Sequence, residues 1–281
     1  MSRPWRCRDR ALPVFERVHL MGILNVTPDS FSDAGRFLDP RAAVRRALQM
    51  ADEGADIIDV GGESTRPGAE PVPEPEEAGR ILPVIESLGA MSDVAISIDT
   101  TKAAVAEAAI EAGAVIVNDV SAMRFDPAMP AVVARSGSGV VLMHMLGEPR
   151  TMQSDPRYAD VVFEVSLALG SWADAAERAG IQPQAIALDP GIGFGKTREH
   201  NLALLKNLDR LSGTGYPVVV GPSRKSFIGL TLDLPVEERL EGTAAAVAWA
   251  VAHGAQVVRV HDVRQMARVV RMTEAIMRAP R

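Results

Sequence analysis

Short apolar, β-branched runs alternate with longer amphipathic stretches from residue 19 to the end of the chain. Runs this apolar are typical of parallel strands that are covered by helices on both faces of a sheet. Several amphipathic stretches end in glycine directly before the next apolar run, as expected where a helix stops. The pattern predicts eight strands, at residues 19–26, 55–60, 94–99, 114–119, 139–144, 184–189, 216–221 and 255–261.

Eight strand–helix units in about 260 residues match the size of a (β/α)8 TIM barrel. A doubly wound open sheet has the same alternation, and periodicity alone does not exclude it. No low-complexity linker interrupts the series, so we predict one α/β barrel domain over residues 18–275. Residues 1–17 are then an N-terminal extension, and residues 276–281 are a C-terminal tail.

Composition excludes several classes of protein. The 281-residue chain has a net charge of −6, which argues against broad nucleic-acid binding and against electrostatic contact with a membrane. No apolar run approaches the length of a membrane span, and no signal-peptide pattern follows the basic N-terminus. The single cysteine, Cys7, rules out an intramolecular disulfide and favours a reducing compartment. We therefore predict a cytoplasmic protein that acts on small molecules.

Polar or ionisable residues lie at the end of every predicted strand. In order, they are Asn25, Asp59 with Glu63 beyond it, Asp99, Asn118 with Asp119, His144, Asp189, Ser223 to Lys225, and Arg259 with His261. In a barrel all these ends converge on one face, where catalytic groups sit. A single Asp or Asn at such a place often only caps the following helix. Eight polar ends together favour an active site.

Eight motifs resemble those of the dihydropteroate synthase family, in that family's order, over roughly residues 18–275. They are GILNVTPDSFSD, GGESTRPGA, SIDTTK, NDVSA, LMHMLGEPRTMQ, DPGIGFGKT, SRKSFIG and RVHDV. The resemblance implies a pterin-binding TIM barrel of folate biosynthesis and a target of sulfonamides. Such a transferase condenses 6-hydroxymethyl-7,8-dihydropterin diphosphate with 4-aminobenzoate, which gives 7,8-dihydropteroate and pyrophosphate. It also implies a Mg²⁺ cofactor and a homodimer formed by helices near the C-terminal half.

For the pterin, the resemblance assigns Asp99, Asn118, Asp189 and Lys225. Carboxylate and amide oxygens suit the guanidine-like donor edge of a pterin, because they accept two neighbouring N–H bonds in fixed geometry. Two carboxylates in one cavity repel each other, and a cation such as Lys225 relieves that repulsion. Lys225 can also donate a hydrogen bond to the pterin oxygen.

The stretch DPGIGFGKT, residues 189–197, is similar in composition to a phosphate-binding loop, but its spacing is wrong. The G-x-x-x-x-G-K-[ST] pattern requires glycine where Pro190 stands. Glycines allow the backbone to approach a flat ring closely. We therefore interpret this stretch as a pterin loop in which Phe194 forms a wall against the ring. We expect Lys196 to be a solvated lysine at the start of the next helix.

For the diphosphate, the predicted ligands are Asn25, Arg259 and His261. Arg259 offers a planar fork for phosphate oxygens, and the N-terminus of the last helix follows His261 directly. The resemblance makes Asn25 the protein ligand of Mg²⁺, an ion that usually keeps waters and takes phosphate oxygens. Arg259, His261 and Lys225 are the predicted catalytic residues, because charge builds on the departing pyrophosphate. No covalent nucleophile is required.

Two loops rich in glycine and proline, residues 25–37 and 61–73, are predicted to close over the substrates. The resemblance assigns to 4-aminobenzoate Thr65 and Ser226 as contacts, Phe31 and Pro67 as pocket walls, and Arg66 as a residue that orders the loops. One departure from the family's pattern is Ala34, where the family commonly has glycine.

Two other functions remain open at this point. A methyltetrahydrofolate-dependent methyltransferase is also a pterin-binding barrel, although the TPDSFSD and STRPG stretches argue against it. A non-catalytic relative of the synthase would be expected to have lost loop or phosphate-binding residues, which this chain retains.

Overall fold

A computed structural model of the chain describes residues 4–27, 39–64 and 68–280. The strands are β1 (Trp5–Cys7), β2 (Arg10–Leu12), β3 (His19–Asn25), β4 (Ile57–Gly61), β5 (Ala95–Asp99), β6 (Ile116–Asp119), β7 (Gly139–Met143), β8 (Ile186–Asp189), β9 (Val219–Val220) and β10 (Val257–Val260). The helices are α1 (Pro40–Asp52), α2 (Glu74–Met91), α3 (Ala103–Glu111), α4 (Met129–Ser136), α5 (Val161–Arg178), α6 (Arg198–Lys206), α7 (Asp209–Ser212), α8 (Ser226–Leu232), α9 (Leu240–Ala252) and α10 (Val263–Met277). Short 3-10 turns lie at Pro183–Ala185 and Val236–Glu238.

Strands β3 to β10 form a parallel eight-stranded sheet in the order β8-β7-β6-β5-β4-β3-β10-β9. The two ends of this order also meet, because Leu188 pairs in parallel with Val218 and its N–H donates to Pro217 O at 2.8 Å. The sheet is therefore a closed barrel. The predicted (β/α)8 fold is confirmed, and the open doubly wound sheet is excluded.

The helices bury one face each against the outside of the barrel. In α1 the buried residues are Ala43, Val44, Ala47 and Met50, which recur at the spacing of one helical face. The helix begins at Pro40, and the Asp39 side chain accepts a hydrogen bond from Arg41 N at 2.9 Å. Burial of the Val44 and Met50 side chains contributes about 1.5–3 kcal/mol each.

The amino-terminal end of the barrel is filled by the antiparallel hairpin of β1 and β2. Trp5 and Cys7 are completely buried there, and they pack against Met21 and Ile57 inside the barrel. Trp5 Nε1 donates to the carbonyl of Ala185 at 2.9 Å. This end is therefore packed with side chains, whereas a large cavity lies at the carboxyl end. The division of the chain after residue 17 stays a prediction.

Candidate active site

The side chains that point into the barrel change from apolar to polar toward the carboxyl ends of the strands. Residues two apart on a strand share a face, so Ile57 at the base and Asp59 above it both point inward. The same parity places a polar group on five other strands: Asn25, Asp99, Asn118, Asp189 and Arg259. A layer of polar and charged groups consequently lies above an apolar layer.

Arg259 is at the centre of this polar layer. Its Nε donates to Asp59 Oδ2 at 2.6 Å, and its Nη2 donates to Asp99 Oδ2 at 2.6 Å. Asn118 Nδ2 also donates to Asp59 Oδ2, at 2.9 Å. Asp59 is completely buried, and sequence analysis gave it no role although it stands near a strand end, as Asp99 does. Asn118 and Arg259 meet at Asp59, and Arg259 joins Asp99 to them.

The two carboxylates of this network retain hydrogen-bonding capacity. Among the described residues, Asp59 Oδ1 and Asp99 Oδ1 are buried without a hydrogen-bond partner. Burial raises the pKa of Asp99, the Arg259 guanidinium opposes that rise, and the nearby Asp59 carboxylate adds to it. An unsatisfied buried acceptor costs about 1–3 kcal/mol, so a ligand N–H placed here would be strongly favoured.

Asp189 begins the loop that crosses the barrel mouth. Its Oδ1 accepts a hydrogen bond from Gly191 N at 2.7 Å, which fixes the carboxylate at the end of β8. Gly191 has a φ of +66°, and a Cβ there would lie 1.9 Å from His144 O. Only glycine fits this close approach of two backbones. Burial raises the pKa of Asp189, and the cation of Lys225 opposes that rise.

Lys225 extends over the same loop from the end of β9. Its Nζ donates to the carbonyl of Ile192 and lies 4.5 Å from the centre of the Phe194 ring. Burial lowers the pKa of Lys225 to about 8, against the opposing attraction of the Asp189 carboxylate. Lys225 therefore contacts the ring of Phe194 in the loop and interacts electrostatically with Asp189 at the end of β8.

Lys196 corrects an expectation from the sequence. It was expected in solvent, but it is only 3% exposed. Its Nζ contacts three main-chain carbonyls and the His144 ring. Lys196 lies in a loop, where no repeating pattern of apolar and polar positions shows which side chains are buried. The sequence therefore did not reveal its burial.

His261 is oriented by a neighbouring strand end. Ser223 Oγ lies 3.0 Å from His261 Nδ1, and it accepts a weaker hydrogen bond from His261 N at 3.3 Å. Arg224, which follows Ser223, forms a bidentate pair with Asp262 at 2.6 and 2.8 Å. Asp262 therefore holds the Arg224 guanidinium, while Arg259 pairs with Asp59 and Asp99.

Most of the predicted site residues line one cavity of about 1280 Å³ at the carboxyl end of the barrel. The predicted residues in its wall are Asn25, Asp99, Phe194, Lys225, Ser226, Arg259 and His261. Asn118 and Asp189 are buried beside these residues, where Asn118 bonds to Asp59 and Asp189 faces the charge of Lys225. Phe31, Ala34, Thr65, Arg66 and Pro67 lie outside the described residues.

The flanks of the second loop are held by an ion-pair network that sequence analysis missed. Lys102 Nζ lies 2.5 Å from both Glu63 Oε2 and Glu77 Oε2. Glu63 Oε2 also accepts a hydrogen bond from Val72 N at 2.8 Å. One carboxylate thus joins residues 63 and 72, and Lys102 ties both to the barrel wall.

The capacity of the site for a metal rests on oxygen donors. Asn25 Oδ1 and the Asp99 carboxylate both face Gly61, within 3.9 Å of the position a Cβ would take there. In the described part of the chain, no group of three or more His, Cys, Asp or Glu side chains is arranged to hold a metal ion. These residues fit a Mg²⁺ ion that takes most of its ligands from water and phosphate oxygens.

A family profile described as pterin binding enzyme matches residues 21–261 of the chain. The chain is 48% identical over 264 residues to the dihydropteroate synthase of Synechocystis sp., which covers 94% of this chain and 91% of that relative. It is also similar to the solved structure of Xanthomonas albilineans dihydropteroate synthase with 4-aminobenzoic acid. That likeness has a TM-score of 0.92, an identity of 45%, and covers 99% of this chain and 100% of the other.

A second structure from Xanthomonas albilineans, in complex with 7,8-dihydropteroate, has a TM-score of 0.88 and an identity of 43%. It covers 98% of this chain and 100% of the other. Relatives and structures alike span nearly the whole chain, barrel and polar layer included.

Proposed function

The chain belongs to the dihydropteroate synthase family of pterin-binding enzymes, and from this premise we propose how its own residues carry out the reaction. It is a transferase of folate biosynthesis. The reaction joins the amine of 4-aminobenzoate to the exocyclic methylene of 6-hydroxymethyl-7,8-dihydropterin diphosphate. A C–N bond forms, the C–O bond to the diphosphate breaks, and the products are 7,8-dihydropteroate, pyrophosphate and the proton that the amine loses.

The pterin is bound by Asp99, Asn118, Asp189 and Lys225 beside the Phe194 ring. The observation that carries this assignment is the buried Asp99 Oδ1, an acceptor without a partner among the described residues. A pterin N–H would satisfy it, and the carboxylate of Asp189 offers a second acceptor for the same donor edge. Lys225 Nζ, already above Phe194, is the donor for the pterin oxygen.

The diphosphate is bound by Arg259, His261 and Asn25. Among the described contacts, two of the five N–H donors of the Arg259 guanidinium meet carboxylates, which leaves the rest of the fork for phosphate oxygens. Ser223 fixes the His261 ring at Nδ1. Asn25 is the protein ligand for Mg²⁺, which when bound would share the negative charge of the diphosphate.

Leaving-group stabilisation drives the proposed mechanism. Arg259 and His261 hold the charge that builds on pyrophosphate as the C–O bond breaks. The electron-rich pterin shares the positive charge at its methylene, so bond breaking runs ahead of attack by the amine. Ser226, at the start of α8, holds 4-aminobenzoate together with Thr65, Phe31 and Pro67, and Arg66 orders the loops.

The decisive test is to incubate the purified protein with both substrates and Mg²⁺ and to follow dihydropteroate and pyrophosphate by chromatography. We expect both products in equal amounts. Asp189→Ala should abolish detectable pterin binding and leave a folded barrel, as judged by circular dichroism. Near-normal pterin affinity in that variant would remove Asp189 from the site, and pterin binding without product would indicate a non-catalytic relative.

The proposed assembly is a homodimer. An apolar groove of about 410 Å³ lies between α6, α8 and α9, where Leu202, Leu232 and Trp249 are 42%, 47% and 47% exposed. This face belongs to the C-terminal half of the chain, and a second copy is the occupant that the family implies. Large apolar side chains grouped on one face are typical of the centre of protein interfaces.

The proposed location is the cytoplasm. Within the described ranges, no helix is both long enough and apolar enough to cross a membrane. The only cysteine is a buried free thiol, which is typical of a reducing compartment.

A further inference from the structure

The loop between β8 and α6 is wrapped around one ammonium group, that of Lys196. Its Nζ lies 3.0 Å from Gly191 O and 2.9 Å from Phe194 O, two carbonyls of the loop itself. It also lies 3.1 Å from His144 O, which belongs to the segment that follows β7. Three carbonyl acceptors match the three N–H donors of an ammonium, so the group joins two strand ends and closes the loop.

The fourth contact of Lys196 is the ring of His144, at 3.1 Å from Nδ1. Burial, together with the smaller effects of the Lys196 and Arg124 cations, lowers the pKa of His144 to about 3. The ring is therefore neutral and adds no positive charge beside the ammonium of Lys196. It stacks on Trp172 with ring centres 5.5 Å apart, which fixes its position. Lys196 thus lies in a preformed cage of acceptors.

The loop has no internal helix or strand to hold its shape. Gly191, Gly193 and Gly195 all have positive φ, a conformation that costs glycine little in the folded state but is one of many open to it when free. The carbonyls of Gly191 and Phe194 point inward, where without the ammonium they would converge on a buried space with no donor. A central cation therefore determines which conformation this glycine-rich segment adopts.

Every pterin residue of this side of the cavity depends on that conformation. At one end of the loop, the carboxylate of Asp189 accepts a hydrogen bond from Gly191 N. Phe194, whose carbonyl contacts Lys196, supports Lys225, and Lys225 Nζ is itself held by the carbonyl of Ile192. A change in the loop would thus displace a carboxylate, a ring wall and a cation together.

We propose that Lys196 is a positioning residue for the pterin: it holds the 189–197 loop in its binding shape and acts through Asp189, Phe194 and Lys225. This inference rests on the proposed function, because it assumes that those three residues bind the pterin. Lys196 is not a phosphate ligand in this arrangement, since all its described partners are carbonyls and one imidazole. Its loss should weaken binding of the ring and spare the phosphates.

The test compares wild type and Lys196→Met in three measurements. These are the Kd of 6-hydroxymethyl-7,8-dihydropterin and the Kd of pyrophosphate with Mg²⁺, both by calorimetry, and the KM for 4-aminobenzoate. We expect the pterin Kd to rise roughly 10- to 100-fold, as small displacements of a binding group typically cause. The Kd of pyrophosphate and the KM for 4-aminobenzoate should stay at their wild-type values.

A matched control is Tyr158→Phe. Tyr158 OH donates to Gly195 O at 2.9 Å, so this variant also removes a side-chain donor to the loop, but one that is neutral and lies at its far end. It should change the pterin Kd by less than about fivefold, because one neutral hydrogen bond contributes about 1 kcal/mol. If Lys196→Met does not fold, the same measurements apply to Lys196→Gln, which keeps two N–H donors in the pocket and should lose affinity in the same ligand-selective way.

Three outcomes would overturn the inference. They are an unchanged pterin Kd in a folded variant, an equal loss for pterin and pyrophosphate, and equal losses in Lys196→Met and Tyr158→Phe. A wild-type protein that does not bind the pterin at all would instead contradict the proposed function. The two failures are therefore distinguishable in one experiment.

Discussion

Arg259 Nη2 donates to the carboxylate of Asp99 at 2.6 Å, so a residue assigned to the diphosphate holds the charge of a residue assigned to the pterin. The same guanidinium donates through Nε to Asp59, which is completely buried. One cation therefore balances two carboxylates and still faces the cavity in which the phosphates are proposed to bind. Affinities for the two parts of the substrate are coupled through it.

We predict that Arg259→Ala weakens the pterin diphosphate far more than the unphosphorylated pterin alcohol. Truncation of a buried charge-assisted contact costs about 2–5 kcal/mol, or roughly 30-fold to several thousand-fold in affinity. The alcohol should also lose some affinity, because Asp59 and Asp99 are left without their countercharge. Calorimetric titration of both ligands against the folded variant measures the two losses.

The double variant Asp59→Asn/Arg259→Ala separates the two effects. It removes one of the two carboxylate charges that Arg259 neutralises. The oxygen of the new amide at residue 59 can still accept the hydrogen bond from Asn118. Affinity for the pterin alcohol should recover, and affinity for the diphosphate should not. Equal losses for both ligands, unchanged in the double variant, would mean that Arg259 only braces the barrel.

Pterin affinity should decline at alkaline pH as Lys225 loses its proton. Burial lowers the pKa of Lys225 to about 8, while Asp189 and Asp99 favour the cation and Arg259 disfavours it. Since a lowered lysine pKa means that the charged form is lost as pH rises through that value, binding should weaken above about pH 8. The Kd of the pterin alcohol, measured from about pH 6 to about pH 9.5, should show this decline.

Two variants identify the groups responsible for the decline. Lys225→Arg stays charged in this range and should lack the change near pH 8. Burial also lowers the pKa of Lys196, to about 7, so an earlier decline should persist in Lys225→Arg and be absent from Lys196→Met. Burial also raises the pKa of Asp99 to about 7, so its ionisation strengthens binding as the lysines lose charge, and each variant is therefore compared with the wild type over the whole range. A Lys225→Arg profile identical to that of the wild type would show that Lys225 need not be charged for binding.

The fold was readable from the sequence because apolar strand runs and amphipathic helices carry its periodicity. Strand ends such as Asp99 and Asp189 were found for the same reason, since the end of a run is visible in one dimension. Lys196 and Lys102 were not, because the side chains that surround them come from distant parts of the chain. His144 is 52 residues from Lys196, and Glu77 and Glu63 are 25 and 39 residues from Lys102. Nothing in local pattern distinguishes such a buried cation from a solvated one.

The shortening of the predicted strand 216–221 to Val219–Val220 has a local cause. Pro217 and Pro222 lack the N–H that a central strand must donate, so regular pairing is confined to the residues between them. The N-terminal hairpin of β1 and β2 was not predicted from the sequence. Its strands have three residues each, which is too few to show an alternation of apolar and polar positions.

Lys102→Met should destabilise the protein strongly. Burial opposes the charge on Lys102, but the Glu63 and Glu77 carboxylates raise its pKa, and Glu77 is completely buried. Removing one partner of a buried ion pair costs about 3–5 kcal/mol, because the other charge is left uncompensated. Urea denaturation followed by circular dichroism should show this loss in the free energy of unfolding.

Two further variants serve as controls for the loss of stability in Lys102→Met. Arg135→Met breaks an exposed pair with Glu107 and should cost less than about 1 kcal/mol. Glu77→Gln in the Lys102→Met background removes the stranded charge and should restore part of the stability. A Lys102→Met protein as stable as the Arg135→Met protein would contradict the buried network.

The proposed dimer predicts that Leu232→Glu yields a folded monomer. Leu232 lines the apolar groove between α6, α8 and α9. In this groove Trp249 Nε1 donates to Leu205 O, which fixes the position of the Trp249 ring. A carboxylate buried at the centre of an interface is costly, because it has no partner there. Sedimentation velocity should show a dimer for the wild type and a monomer for the variant.

The matched control is Leu167→Glu, on the exposed face of α5, where Leu167 is 61% exposed. This variant should leave the dimer intact. Should Leu167→Glu dissociate the protein while Leu232→Glu does not, the interface lies on α5 and the groove assignment is wrong.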